Sequence, residues 1–310
     1  MHETRRRVLD ALADGPVRGP ELAERLDVSR AAVWKHVEAL REAGFEVASG
    51  EDGYRVVGVP EYGGLAVEYG LDAPFSVEYH EAIDSTNRRA RELADEGAED
   101  VAVLAGAQTG GRGRLDREWT SPPGGVYVSV VCRPPLPTAH APIYTLAAAV
   151  AATRAAREAG ADAGIKWPND VLVPTDAGER KLVGILTEME GEADRVAWVI
   201  VGVGANVDVP ASELPATATS LRALGADADR RTFARRFLEA FEALRSDPDA
   251  ILPAWREHAL TLGRRVRVET TDGVVEGEAV DVAFPGSLVV ETADGERRIS
   301  AGDCEHLRPR

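Results

Sequence analysis

Lysine is almost missing from this chain. Of 36 basic residues only Lys35, Lys166 and Lys181 are lysine, and the rest are arginine. Cysteine is scarcer still: Cys132 and Cys304 lie far apart, which excludes a disulfide framework and any cysteine-spaced metal site. No apolar run approaches the roughly 18 residues that span a bilayer, so no membrane partner is expected. The opening segment "MHETRRRVLDALADG" has no apolar core ahead of a small-residue cleavage site, which argues against secretion and for the cytoplasm. The six histidines are scattered, and no nucleophile–histidine pair or metal-ligand cluster stands out.

What is present is acid. Asp and Glu number 52, the net charge is −16, and 44% of the 310 residues are hydrophobic. That length suits two or three domains. An acidic, lysine-poor surface keeps a protein soluble where salt screens repulsion, so a halophilic origin is expected; arginine-rich codon usage is the alternative. Either way, the three lysines left are positions where arginine has not served.

Residues 1–60 read as a winged helix-turn-helix. Val8, Leu9 and Leu12 mark one helix, and Leu22, Ala23 and Leu26 a second. Ser29 caps a third over "SRAAVWKHVEALREAG", with Val33, Val37 and Leu40 on its apolar face. "FEVASGEDGYRVVG" then folds back on an Asp-Gly turn as a wing. Ser29, Arg30, Trp34 and Lys35, with Arg41 nearby, fall where a recognition helix meets DNA. Nine basic against eleven acidic residues leave this unit without a strong basic footprint, so a winged helix used for packing stays open. Residues 61–74 read as a linker. From 75 to 262, strand-like runs such as "VAVLAGAQT", "GVYVSVVCR" and "RVAWVIVGVGANV" follow one another with few helices between, which favours a mixed sheet. Residues 263–310 are short β runs broken by DG and PG turns, the pattern of a small SH3-like barrel. The fold class is α+β in three parts.

Several segments of the middle domain carry chemistry. In "AQTGGRGRLDREW" glycines let the backbone approach a ligand while Arg112, Arg114 and Arg117 offer forked donors suited to carboxylate or phosphate. The segment is neither a P-loop nor G-x-G-x-x-G. "IKWPNDVL" sets Lys166 beside Asn169 and Asp170, which Pro168 throws into a turn; an ordinary hairpin is the alternative. Lys181 opens an apolar strand in which Gly184 is a gap, and Gly202, Gly204 and Asn206 weaken another, where a bulge would serve as well. Ser85, Thr86 and Asn87 begin a helix, as caps or as donors to a neutral polar ligand. Cations without a nucleophile favour charge stabilisation and positioning, such as activation of a carboxylate by a nucleotide.

In this order, "DSTN", "QTGGRGRLDREWTSPPG", "KWPND", "RKLVGILTE" and "GVGAN" closely resemble the biotin protein ligases. With the winged helix in front, the chain resembles the bifunctional type that also represses the biotin operon. The resemblance implies a class II synthetase-like catalytic domain that uses ATP and Mg²⁺ to convert biotin to biotinyl-5′-adenylate. Biotin then passes to a lysine of a biotin carboxyl carrier domain. Carried over residue by residue, Ser85, Thr86, Asn87 and Gln108 would hold biotin, with Gly184 and Gly204 in the same subsite. Arg112, Gly113 and Arg114 would close as a lid that orders when ligand arrives, and Lys181 would meet the carboxylate or the phosphate. Arg114, Trp119, Lys166, Asn169, Asp170 and Asn206 would serve ATP, with Mg²⁺ near Asp170. Lys181, Arg112, Arg114 and Lys166 would form the catalytic set. Operator DNA and a ligand-promoted homodimer are implied as partners. Asp116 stands where the family usually has glycine, so pairing with Arg114 or Arg117 could alter retention of the adenylate. A biotin-sensing regulator without ligase activity and a ligase whose winged helix ignores DNA are the competing readings; lipoyl transfer fits the motifs less well.

Overall fold

The computed structural model describes residues 2–176, 178–192 and 194–307, with the side chains of residues 2, 3 and 116 outside that description. The chain divides into two compact units, Met1–Asp72 and Ala73–Arg310.

In the first unit α1 (His2–Leu12), α2 (Gly19–Leu26) and α3 (Arg30–Glu42) enclose a core of Val8, Leu9, Leu12, Leu22, Leu26, Val33, Val37 and Leu40. Ser29 starts α3 by accepting the Ala32 N–H at 3.1 Å. The wing is β1 (Glu46–Gly50) paired with β2 (Gly53–Gly58). Gly53 turns it at φ 115°, where a Cβ would lie 2.2 Å from the Val17 carbonyl oxygen, so only glycine fits. The 61–74 segment is more than a linker. It contains α4 (Gly64–Glu68), whose Leu65 joins the core, and Tyr69 meets Phe45 edge-on at 6.2 Å. Spaced four apart, Leu65 and Tyr69 form a short apolar face the core can cover.

The second unit is built on a seven-stranded sheet: β3 (Ser76–His80), β4 (Val101–Ala105), β5 (Val126–Cys132), β6 (Gly164–Lys166), β7 (Asp170–Thr175), β8 (Gly178–Glu192) and β9 (Arg195–Ala205). The order is β3-β4-β5-β9-β8-β7-β6; β3 and β4 run parallel and every other pair antiparallel. This is the mixed sheet expected. All seven residues of β5 are buried, and polar Ser129 sits among them. Helix α5 (Thr86–Asp95) packs on β4, β5 and β9. Alanine-rich α6 (Pro142–Glu158) lies along α7 (Arg230–Ser246), where Phe237 and Phe241 stack at 5.9 Å. An unforeseen helix, α8 (Ile251–His258), carries a proline in its first turn, which a search for longer apolar periods passes over.

The C-terminal part is a five-stranded antiparallel sheet of β10 (Arg265–Thr270), β11 (Gly273–Ala283), β12 (Ser287–Thr292), β13 (Gly295–Ile299) and β14 (Asp303–His306), ordered β13-β12-β11-β10-β14. Val266, Val268, Val282, Leu288 and Val290 form its core. It is joined to the larger sheet by the Trp167 indole N–H, which donates to the Gly286 carbonyl at 2.9 Å. The Trp167 backbone N–H donates to Thr261 Oγ1, also at 2.9 Å.

Candidate functional site

The floor of the site grows from the start of α5. Ser85 caps the helix, the simpler of the two roles open to it. Thr86 gives its backbone N–H and its hydroxyl to Gln108 Oε1, at 2.8 and 3.1 Å. Asn87 donates to Glu188 Oε2 at 2.8 Å and accepts the Ser129 hydroxyl at 2.6 Å. Gln108 Nε2 reaches Ser121 Oγ at 3.1 Å. These groups are largely buried and mutually satisfied, so their geometry is set before any ligand contacts them.

A bulge decides where Lys181 points. Along β7 and β8, Val171 pairs with Val183 but Leu172 pairs with Lys181, which leaves Leu182 as an extra residue. Three positions apart on a regular strand, Lys181 and Gly184 would face opposite sides of the sheet. The extra residue puts them on the same side. Lys181 Cε and Nζ lie 3.0 and 3.2 Å from where a Cβ on Gly184 would be. The backbone of Lys181 is held by the Thr217 carbonyl and the Thr219 N–H, both at 2.9 Å. Its ammonium pairs with Asp170 Oδ1 at 2.6 Å and stands 5.0 Å from the centre of the Trp119 ring.

The three strand glycines are filled by side chains. A Cβ on Gly204 would fall 2.3 Å from Trp119 Nε1, one on Gly184 2.8 Å from the same indole, and one on Gly202 2.0 Å from Asn87 Oδ1. In the ladder Gly184 faces Gly204 and Leu186 faces Gly202, so the gaps adjoin and form one trough. Trp119 lies in it, and among the described residues its indole N–H has no acceptor. Nor does the buried Asn206 Oδ1 meet a donor, although Asn206 Nδ2 bonds the Thr219 carbonyl at 3.0 Å. A buried polar atom left this way is costly unless a further group completes it.

The arginine loop covers the trough. The backbones of Arg112 and Glu118 pair across the loop, and Arg114–Asp116 form a tight turn that Leu115 kinks at φ 55°. Arg114 donates to Asn169 Oδ1 at 3.1 Å and to the Gly302 carbonyl at 3.0 Å, while Arg117 pairs with Asp303. Asn169 is itself tied to β8 through the Ile185 carbonyl at 2.7 Å. The expected influence of the Asp116 carboxylate lies outside the described side chains.

Together these residues line an open pocket of about 660 Å³. Ser85, Thr86, Asn87, Gln108, Arg112, Gly113, Arg114, Trp119, Asn169, Asp170, Lys181, Gly184, Gly204 and Asn206 all border it. Lys166, expected to serve the nucleotide and the catalytic set, does not border it. Its charge is felt instead at Cys304 and His306 of β14, because β6 is the sheet edge beside the C-terminal strands. The sequence reading missed Ser129, Glu188, Asp303 and the 214–218 segment. Only Ser129 carried a signal, as the one serine in a wholly buried strand of otherwise larger, mostly apolar side chains.

The charges at the pocket sort into two kinds. Arg88 pairs with Asp84, Arg91 with Glu188, Arg117 with Asp303 and Lys181 with Asp170. Among the described residues Arg112 and Arg114 face only neutral acceptors: the Gly111 carbonyl for one, Asn169 Oδ1 and the Gly302 carbonyl for the other. Two guanidinium groups without a carboxylate, over a trough with unmet polar atoms, make an anion site inside a strongly acidic protein.

In the second unit, residues 79–206 match the Biotin/lipoate A/B protein ligase family and 261–307 the Biotin protein ligase C terminal domain. Residues 4–63 match an HTH domain. The chain is 39% identical to the Bifunctional ligase/repressor BirA of Bacillus subtilis, with 93% of both chains covered. It is 30% identical to the protein of that name from Escherichia coli, over 92% of this chain and 91% of the other. The biotin protein ligase of Aquifex aeolicus, solved with biotin and ATP, superposes with a TM-score of 0.61 at 27% identity, covering 75% of this chain and 99% of that one. Motifs, architecture and pocket agree with these likenesses, and the chain belongs to the biotin protein ligases of the bifunctional ligase/repressor kind.

Proposed function

We propose that the pocket joins biotin to ATP and then delivers biotin to a protein lysine. A biotin carboxylate oxygen attacks the α-phosphorus of ATP and displaces pyrophosphate, leaving a mixed anhydride. The ε-amine of a lysine on a biotin carboxyl carrier domain then attacks the biotinyl carbonyl, AMP departs, and the amine sheds a proton. The observation that carries this reading is the meeting of Lys181, Arg112 and Arg114 over the Thr86–Gln108 floor in one pocket.

Each residue has a part that follows from its surroundings. Thr86, Asn87 and Gln108 orient the uncharged ureido end, since their groups are fixed and neutral. Lys181 neutralises the two anions as they approach, and exchanging Asp170 for phosphate leaves it paired throughout. Arg112 and Arg114 gain an ionised partner only when phosphate or carboxylate arrives, so the loop is drawn toward the loaded state. Asn206 Oδ1 and Trp119 serve the nucleotide base. Among the described residues no three His, Cys, Asp or Glu side chains cluster; Mg²⁺ would come held by ATP, with Asp170 as the pocket carboxylate assigned to it. When bound it offsets phosphate charge.

In the first unit, exposed Arg30, Trp34 and Lys35 on α3 are assigned to operator DNA, with Ser29 as the cap that sets the helix start. Arg41 serves differently, donating to Val47 O at 2.6 Å and Ser49 Oγ at 2.8 Å and so bracing the wing. A ligand-promoted homodimer and a salty cytoplasm complete the proposal. The composition supports the latter, and no described helix is long and apolar enough to cross a membrane.

The test is direct. Purified protein with ATP, Mg²⁺ and biotin labels a carrier domain, and Lys181→Ala forms adenylate about 10²–10³-fold more slowly; labelling by that variant at the parental rate would remove Lys181 from the reaction. A gel shift on the DNA upstream of the protein's own biotin genes, with and without biotin and ATP, decides whether the winged helix acts on an operator.

A further inference from the structure

Two contacts from the arginine loop reach a part of the chain to which neither motif nor resemblance gives a role. Arg114 donates to the Gly302 carbonyl, and Arg117 pairs with the Asp303 carboxylate; both acceptors lie where β13 connects to β14. That connection is held firmly. Asp303 opens β14 opposite Glu269, and a Cβ on Gly302 would lie 2.7 Å from both the Glu269 carbonyl oxygen and Val268 Cγ1. Glycine lets the turn sit directly on β10, which fixes the direction of its carbonyl. Asp303 also borders the pocket.

The two arginines differ in what they hold. Arg114 binds neutral acceptors, and a phosphate would be a stronger partner. Arg117 already has an ionised partner and gains little by leaving it. We propose that Asp303 is a positioning residue: it anchors the loop through Arg117 while Arg114 turns to the ligand, and so sets how long the adenylate is retained. This rests on the ligase reading above. The C-terminal sheet thereby acts as the fixed post to which the lid is tied.

Adenylate is formed on the full chain with radiolabelled ATP, Mg²⁺ and biotin, and its release is followed after a chase with unlabelled compounds. Release from Asp303→Asn is about two- to fivefold faster than from the parent, the scale an exposed ion pair supports. Added salt speeds release from the parent more than from the variant, because only the parent has this pair to screen. Arg117→Asp behaves like Asp303→Asn, and combining Arg117→Asp with Asp303→Arg returns release to within about twofold of the parent. A second readout needs no catalysis. Tryptic cleavage after Arg112 and Arg114, read by mass spectrometry without ligand, quickens by a similar factor in Asp303→Asn as the open population grows. Unchanged cleavage and unchanged release in Asp303→Asn overturn the proposal. Failure of the parent to form adenylate overturns the ligase reading alone, and cleavage then decides the anchor.

Discussion

Replacing Lys181 by arginine keeps the charge and discards the shape, in a protein whose other basic residues are nearly all arginine. The lysine ammonium occupies a slot bounded by Asp170 Oδ1 at 2.6 Å, the Trp119 ring at 5.0 Å and the Gly184 backbone. The bulge at Leu182 and the Thr217 and Thr219 contacts deny the strand room to retreat. A guanidinium is planar and broader, and its charge centre would shift by about 1 Å, a misplacement worth about 10²-fold in rate. Lys181→Ala removes the charge altogether, which costs about 3–4 kcal/mol of transition-state stabilisation, or 10²–10³-fold. Rapid-quench measurement of adenylate formation at saturating ATP and biotin should therefore rank parent, Arg and Ala variants in descending order. Calorimetry of biotin alone should find affinities within about threefold, since the lost interaction belongs to the meeting of two anions. An arginine variant that works within threefold of the parent would show that charge suffices and that the slot has no part in the chemistry.

Other outcomes follow from the same geometry. Gly202→Ala drives a Cβ to 2.0 Å from Asn87 Oδ1 and breaks its contacts to Ser129 and Glu188. Biotin affinity should fall about tenfold by calorimetry, the cost of one unmade buried hydrogen bond, and an unchanged constant would remove Asn87 from the ligand. Trp34→Ala, at a side chain 55% exposed, should leave the melting temperature within about 1 °C while weakening operator binding in fluorescence anisotropy. Arg41→Ala should lower both, because the wing loses its brace. His306 is held below its ordinary value of 6.5 mainly by burial, against the opposing pull of Glu179. The unfolded chain thus takes up protons first, so the stability from burying the neutral ring is complete above pH 6.5 and is lost as pH falls through the folded value. His258 shifts the same way, also by burial. Unfolding free energy should rise with pH on the acid side of 6.5 and level off above it, and His306→Gln should flatten part of that rise.

Element type was legible wherever the apolar period was long or the capping residue distinct, as in α3 behind Ser29 and β9 with its run of buried valines. The ligand-facing motifs were legible because glycine, lysine and paired polar residues are poor choices for a packed strand unless something presses against them. Their meeting was a different matter. Lys181 and Gly184 share a face only because of one extra residue in the β7–β8 ladder, and register is settled by pairing with a neighbour rather than within the strand. The same motif sends Asn169 and Asp170 into the pocket and leaves Lys166 outside it, a distinction of side-chain direction at a sheet edge. Asp303 offered no signal at all, since a carboxylate opening a short strand looks like any solvated residue until the fold brings Arg117 to it. Local composition determined which segments could hold an anion or a neutral polar ring. Long-range pairing alone determined which of them face one another, because distance in space between residues far apart in the chain is set by the packed sheet.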